Sequence, residues 1–360
     1  MSERLKHNPD NQSSTTSHRV AVIGAGPAGA AAAQTASMLG LAVDWYEKET
    51  FAGGKLNRYY QLFPGREEAE VVYRDLFDPN HYREVNKQFG RFVTGIEKQA
   101  GRLRILVDES QAKDADAVIV ANGFDFFDAR LKEEFGYGIY PRVITSPDLE
   151  YHFKTDISRL RRGEEDPEAV AFVHCVGSRD QQVGVPYCSR VCCITGIKQA
   201  IEIREQFPRC RVYNFYIDIR AYGNGYEELY RQAQEEYAIR FIRGRVSEAS
   251  EDQYGRIRVK AEDTLLGKPV KLTVDWLVLL VGMVPACPEL MLNGQSDSHG
   301  NGRSFLKADN PHASQAVASC PGLFLAGACS GPMSIPESVA SGRSAAVQVF
   351  EYLKNRNSSL

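Results

Sequence analysis

Residues 19–48, RVAVIGAGPAGAAAAQTASMLGLAVDWYEK, leave few options for the fold around them. An apolar strand runs into Gly24, Gly26 and Gly29, an alanine-rich helix follows, and a second strand ends at Glu47. This is the βαβ unit of a dinucleotide-binding domain, and its spacing has a mechanical reason. Gly24 permits a tight turn, Gly26 lets the backbone approach a pyrophosphate, Gly29 lets helix and strand pack closely, and the free N–H groups of the helix start face the phosphates. Glu47 stands about 20 residues beyond the glycines, where a carboxylate takes ribose hydroxyls. A G-x-G-x-x-G alone also describes any glycine-rich turn. Strand, helix and acid in the right order make the signal strong.

The 360 residues, 43% of them hydrophobic, are enough for two domains. FAGGKL at 51–56 resembles the second glycine element of flavoproteins with two dinucleotide domains, which favours FAD over NAD. ADAVIVANGF (115–124), VDWLVLLVGMVP (274–285) and GLFLAGACSG (322–331) resemble further landmarks of such proteins. Each alone is only an apolar strand closed by a glycine turn, so their order carries the argument. That order implies an α/β, thioredoxin-reductase-like fold, in which a parallel-sheet Rossmann-type FAD domain is interrupted by a second, inserted βαβ domain. The expected division is a disordered lead-in over 1–18, the first part of the FAD domain over 19–164, the inserted domain over 165–285 and the rest of the FAD domain over 286–360. The positions expected to touch FAD are Gly24, Gly26, Gly29, Glu47, Lys48, Gly53, Gly54, Lys55, Leu56, Ala121, Asn122, Gly123, Gly327, Ala328, Ile335 and Pro336. Ile96 is added for backbone contact with adenine.

In the inserted domain, AVAFVHCVGS (169–178) makes a strand and turn, ITGIKQAIEIREQF a helix, and CRVYNFYIDIR the next strand. A nicotinamide-binding domain would pass through a compact G-x-G-x-x-G straight into the helix. This chain has VGSRDQQVGVPYCSRVCC instead, and Cys175, Cys188, Cys192 and Cys193 fall within nineteen residues. Four thiolates suit a [4Fe-4S] cluster. A redox dithiol needs only two, and zinc usually takes two separated pairs, which an adjacent Cys192-Cys193 fits poorly. The plain alternative is four core cysteines that lie near one another. The helix start would favour anionic thiolates, so a cluster takes the place of a pyrophosphate. Cys210, Cys287, Cys320 and Cys329 are scattered and read as core.

Three cations near the cysteines have two readings each. Arg179 and Arg190 either tune the cluster or are solvated surface charge. Lys198, five residues past Cys193, either reaches the flavin N5 or N1 region as a tuning cation or is an exposed helix lysine. Asp218 reads as ordinary turn chemistry rather than a relic ribose acid.

Charge and hydropathy exclude some partners. Forty-three basic against forty-six acidic residues, with no long block of one sign, leave no electrostatic footprint for nucleic acid. The apolar run at 276–286 falls far short of the ~20 residues that cross a bilayer, so no membrane span is expected. The polar N-terminus lacks the apolar core of a signal peptide, and a cytoplasmic protein with reduced thiols is expected.

CVGSRD, PYCSRVCC with the IKQA helix behind it, FYIDIRAYGNGYEELYRQAQEEY, FIRGRV and LAGACSGPMSIPESVA resemble stretches of the heterodisulfide reductase A-subunit family and its relatives. NGFDFFDARLKEEFGYGIYPRVITSPDLE joins them, and the resemblance runs over about residues 19–350. PYCSRVCC is its most specific element. The resemblance implies an oxidoreductase with an FAD core, a four-iron cluster beside the flavin, homodimerisation, and assembly with B and C subunits that carry further iron–sulfur centres. Lacking an N-terminal cysteine-rich domain and a C-x2-C-x2-C-x3-C-P module, the chain is most similar to the short A subunits of heterodisulfide-reductase-like complexes in sulfur oxidisers. A lipoate-binding protein is a further partner implied there. Quinone-interacting oxidoreductase subunits of sulfate reducers are the alternative. Gly327-Ala328 stands where many flavoproteins have Gly-Asp, so that acid's contact to the flavin must come from elsewhere. The electron-transfer reading has two rivals, an NAD(P)H-dependent flavin disulfide oxidoreductase using two of the four cysteines, and a scaffold with a structural flavin. The missing nicotinamide fingerprint speaks against the first.

Overall fold

The computed structural model describes residues 18–99, 101–108, 111–286, 291–292, 295–296 and 304–357. The N-terminal lead-in and Cys287 lie outside the described residues.

Apolar parallel strands build both main sheets. In the first, β1 (Arg19–Ile23), β2 (Ala42–Glu47), β3 (Val85–Phe89), β7 (Ala117–Val120) and β22 (Leu323–Leu325) run parallel. β21 (Ser314–Ala318) and β20 (Ala308–Asn310) extend the edge antiparallel, giving the order β20-β21-β22-β7-β1-β2-β3. All of β7, AVIV, is buried, as a strand covered on both faces requires. One cover is the helix pair α1 (Pro27–Met38) and α6 (Ile335–Asn357), joined by α2 (Ala69–Leu76). The buried side of α1 is almost all alanine, so α6 comes close enough that a Cβ on Gly342 would overlap the Ala28 carbonyl. The other cover is the meander β4 (Val93–Gln99), β5 (Arg102–Val107) and β6 (Gln111–Ala115), with β18 (Met291–Leu292) and β19 (Gln295–Ser296) along its edge.

The second sheet is wholly parallel, in the order β12 (Arg240–Arg243), β11 (Arg211–Tyr216), β10 (Ala169–Val176), β16 (Trp276–Val281) and β9 (Val143–Thr145). α3 (Ser146–Thr155), α4 (Cys192–Gln206) and α5 (Tyr226–Glu235) cover one face. The antiparallel β13 (Val246–Glu251), β14 (Ile257–Asp263) and β15 (Lys268–Val274) cover the other. β9 corrects the expected boundary at residue 165: Val143, Ile144 and Thr145 pair with Leu277, Val278 and Leu279, so the inserted domain begins there. A three-residue strand is too short to show a period in the sequence. The chain leaves the first domain through β8 (Phe124–Phe126) and returns through β17 (Met283–Pro285), which pair antiparallel. Both crossings therefore lie side by side. The apolar run at 276–286 is largely the buried strand β16, and no described helix is long and apolar enough to cross a membrane.

Candidate functional site

The glycine turn after β1 opens on a cavity of about 830 Å³ that reaches across to the inserted domain. Gly24, Gly26, Glu47, Lys48, Gly54, Lys55, Leu56, Ala121, Asn122, Gly123, Ala328 and Ile335 all line it. Gly29 does not, because its place is against the turn, where a Cβ would overlap the Gly24 carbonyl. Gly53 also lies behind the wall, and its N–H donates to the Ala25 carbonyl at 2.7 Å, pinning the second glycine element to the first. Gly327 bonds the Ser341 hydroxyl at 2.9 Å, and Pro336 is exposed at the start of α6. The Ile96 side chain is 2% exposed inside the core between the meander and the main sheet, so only its backbone is left for the expected adenine contact. Phe92 and Val93, just before it, are on the wall.

The cavity fits a polar, elongated ligand. A Cβ on Gly26 would meet no protein atom within 4 Å, so this glycine keeps space open for something other than the chain itself. Three buried wall atoms, Tyr46 Oη, Gln61 Oε1 and Asn122 Oδ1, have no partner. Buried polar groups are normally bonded, so the Gln61 and Asn122 oxygens leave bonding capacity beside the cavity, whereas the Tyr46 hydroxyl lies near Asp44 and Arg19. Glu47 is aimed by the turn, since the Ala25 N–H donates to one carboxylate oxygen at 2.7 Å and the Glu49 N–H to the other at 3.1 Å. Arg91 and Lys48 add positive charge at this end. Lys55 donates to the Phe124 carbonyl and lies 4.6 Å from the centre of the Phe124 ring; burial lowers its pKa, partly offset by Asp125. Tyr46, Gln61, Arg91, Phe92 and Val93 lie outside the glycine motifs, and nothing in their spacing marks them.

At the other end, α4 begins with Cys192 and Cys193, both buried, while Val191 and Thr195 beside them line the cavity. Hydrogen bonding from Cys192, with His174 alongside, holds Cys193 well below the usual thiol range. The same Cys192 thiol lowers Cys175. Cys192 is itself raised by its bonds to Cys175 and Cys193 and by burial, so it keeps its proton while its two neighbours lose theirs more easily. Cys188 accepts from the Arg190 N–H at 3.3 Å. Among the described residues, no group of three or more His, Cys, Asp or Glu side chains is placed to hold a metal ion. A cluster of several irons spreads its thiolates wider, and Cys175 near the end of β10, Cys188 in the loop and Cys192 and Cys193 at the start of α4 are thiolates of the type it needs.

Both arginines are partly exposed, and both are paired. Arg179 pairs with Asp218 at 2.6 Å and helps to lower the Cys175 thiol, and Arg190 bonds residues of the first domain. The exposed-helix reading of Lys198 is corrected. Its side chain is 2% exposed, forms part of the cavity wall, and is clamped by Glu150 at 2.6 Å and Glu202 at 3.0 Å. Burial pulls the Lys198 pKa down, and the two carboxylates outweigh it. Burial lifts Glu202 to about 8, so at neutral pH its proton leaves one carboxylate facing one ammonium. Glu150 also accepts from Gln199 at 2.8 Å and from the Tyr60 N–H at 2.8 Å. The four-residue spacing of Lys198 and Glu202 was visible in the sequence. Glu150, on a different helix, was not.

Residues 18–156 match the family model for pyridine nucleotide-disulphide oxidoreductases. Two curated relatives are 42% identical to this chain. One is form 2 of the iron-sulfur A-type component of CoB–CoM heterodisulfide reductase from Methanopyrus kandleri, matched over 66% of this chain and 37% of that protein. The other is the A-type component of the H(2):CoB-CoM heterodisulfide,ferredoxin reductase from Methanothermobacter marburgensis, matched over 64% and 36%. The chain is a homologue of the heterodisulfide reductase A-type components. It spans little more than a third of the length of these relatives. The fold also matches thioredoxin reductases. That of Lactococcus lactis superposes with a TM-score of 0.67 at 19% identity over 94% of this chain and 99% of the other, and that of T. acidophilum with 0.63 at 20% over 92% and 97%. The homologue therefore has the two-domain flavoprotein architecture expected from its motifs.

Proposed function

We propose that this homologue is the FAD- and [4Fe-4S]-bearing electron-transfer component of a heterodisulfide-reductase-like complex. In that role it is a cytoplasmic, homodimeric oxidoreductase of sulfur oxidation, working with B- and C-type subunits and a lipoate-binding protein. The observation that carries the reading is a shared helix: α4 bears Cys192 and Cys193 at its start and lends Thr195 and Lys198 to the wall of the dinucleotide cavity. When bound, FAD supplies two-electron exchange and the cluster one-electron exchange. The chain's own residues bind and orient. Glu47 would take ribose hydroxyls, the free amides at the start of α1 would face the pyrophosphate, and Cys175, Cys188, Cys192 and Cys193 would hold the cluster. Lys198, with a proton resting on Glu202, would keep the inner wall close to neutral. Anaerobic purification followed by flavin, iron and acid-labile sulfide assays tests this, with stoichiometric FAD and about four irons per chain expected. FMN, or iron-free protein of native fold, would refute it.

The hydrogen bond between Cys175 and Cys192 supports a second reading, a redox disulfide served by a nicotinamide. Against it stands the long connection between β10 and α4, residues 177–191, where a nicotinamide-binding domain needs a compact glycine turn. Neither NADH nor NADPH is expected to reduce the flavin of the isolated chain, so electrons would enter through partner proteins. Saturable bleaching within seconds in anaerobic stopped flow would decide for the disulfide.

A further inference from the structure

Arg190 lies midway between Cys188 and Cys192 in the left-handed region, with φ 62°. A residue with a Cβ keeps that conformation only where its surroundings over-determine it. Here the guanidinium crosses to the first domain. One terminal nitrogen donates to the Pro332 carbonyl at 2.9 Å, the other to Glu337 Oε1 at 2.6 Å, and Nε donates to the Tyr222 hydroxyl at 2.6 Å. Glu337 is itself held, since its second oxygen accepts from the Ser334 N–H at 2.8 Å and hydroxyl at 2.9 Å at the head of α6. Met333, Ser334 and Ile335 line the cavity, as does Val191, the residue after Arg190. One side chain thus ties the cysteine loop to the segment that closes the dinucleotide site.

An exposed ion pair alone is worth little. The planar fork matters more, because three partners in three fixed directions set orientation as well as distance, which a lysine cannot do. We infer that Arg190 is a positioning residue, an interdomain latch that holds the cysteine site at a set separation from the cavity and thereby governs electron exchange between them. The other side of the crossing has its own braces, Arg66 with Glu205 at 2.5 Å and Tyr60 stacked on Phe153 with centroids 5.5 Å apart. Loss of Arg190 therefore frees the cysteine side alone. The kinetic consequence rests on the proposed flavin and cluster; the latch itself does not.

The test uses the full chain, purified anaerobically, with Arg190→Ala, Arg190→Lys and Glu337→Gln. Flavin and iron contents should match the parent, while hydrogen–deuterium exchange of residues 179–191 and 330–337 rises together. Equilibration between cluster and flavin after a reductant pulse should slow roughly tenfold or more in Arg190→Ala. Arg190→Lys should behave like the alanine variant, since charge is not what the latch needs, and Glu337→Gln should fall between. Unchanged exchange in both segments, or full rescue by lysine, overturns the latch. Loss of iron with unchanged exchange at 330–337 also overturns it, because Arg190 would then serve only its own loop. Iron-free parent protein refutes the proposed function instead, and the exchange measurement still reads the latch in that protein.

Discussion

The units β1–α1–β2 and β10–α4–β11 share an architecture and differ at the junction of strand and helix. In the first, glycines strip the junction of side chains, and a Cβ on Gly26 would point into open space. In the second, the fifteen residues from Gly177 to Val191 separate strand from helix, and the helix's first two residues are cysteines. The field of a helix start is worth only about 0.3–1 kcal/mol to an anion. It holds no ligand alone in either unit. On the proposed function, the first relies on contacts along a long cavity, and the second on sulfurs that the chain brings with it.

The largest expected effect comes from Cys192→Ala, which would turn the second junction into a plain helix start. Iron and sulfide should fall from about four per chain to near none, while Cys210→Ala, another buried cysteine, leaves both unchanged. Retention of full iron in Cys192→Ala would break the comparison at once. Next, Gly26→Val puts a side chain into the first junction; colourless protein with an unaltered circular dichroism spectrum is expected, and a yellow variant would mean that the open space is not a ligand's. A smaller change follows from Glu47→Gln. The charge is lost but an acceptor remains, so FAD affinity measured calorimetrically on the apoprotein should weaken by about 1 kcal/mol, roughly fivefold.

The smallest effect separates the body of α4 from its cysteine end. Glu202 titrates near 8 when folded against an ordinary 4.5, so between those pH values the folded chain holds a proton that the unfolded chain releases. Stability from this group is present at low pH and lost as pH rises through that window. Glu202→Gln should flatten the fall of Tm from pH 5 to 8, and an unaltered slope would remove Glu202 as its source.

Much of this was legible because local rules and global fold agree. The strand from Arg19, the helix and the terminal Glu47 follow from apolar runs and glycine spacing, and the cysteine string from residue type alone. Contacts between distant segments were not legible. Nothing in the sequence around Lys198 announces Glu150, nor does the loop around Arg190 announce Pro332 and Glu337. The cavity wall formed by Phe92 and Val93 at the start of the meander was not legible either, because no spacing marks it. β9 was missed because three residues carry no period.

The side-by-side crossings of β8 and β17 also impose an order of events during synthesis. Val118 of the first sheet pairs with Leu323, and α1 packs against α6, so the N-terminal half-domain waits with one flank uncovered while everything between emerges from the ribosome. All four cysteines and every strand of the inserted sheet are made before Ala328, Ile335 and Ser338 exist to close the cavity. The cysteine-held cluster proposed above would therefore be assembled on a nascent chain whose nucleotide pocket is still missing a wall.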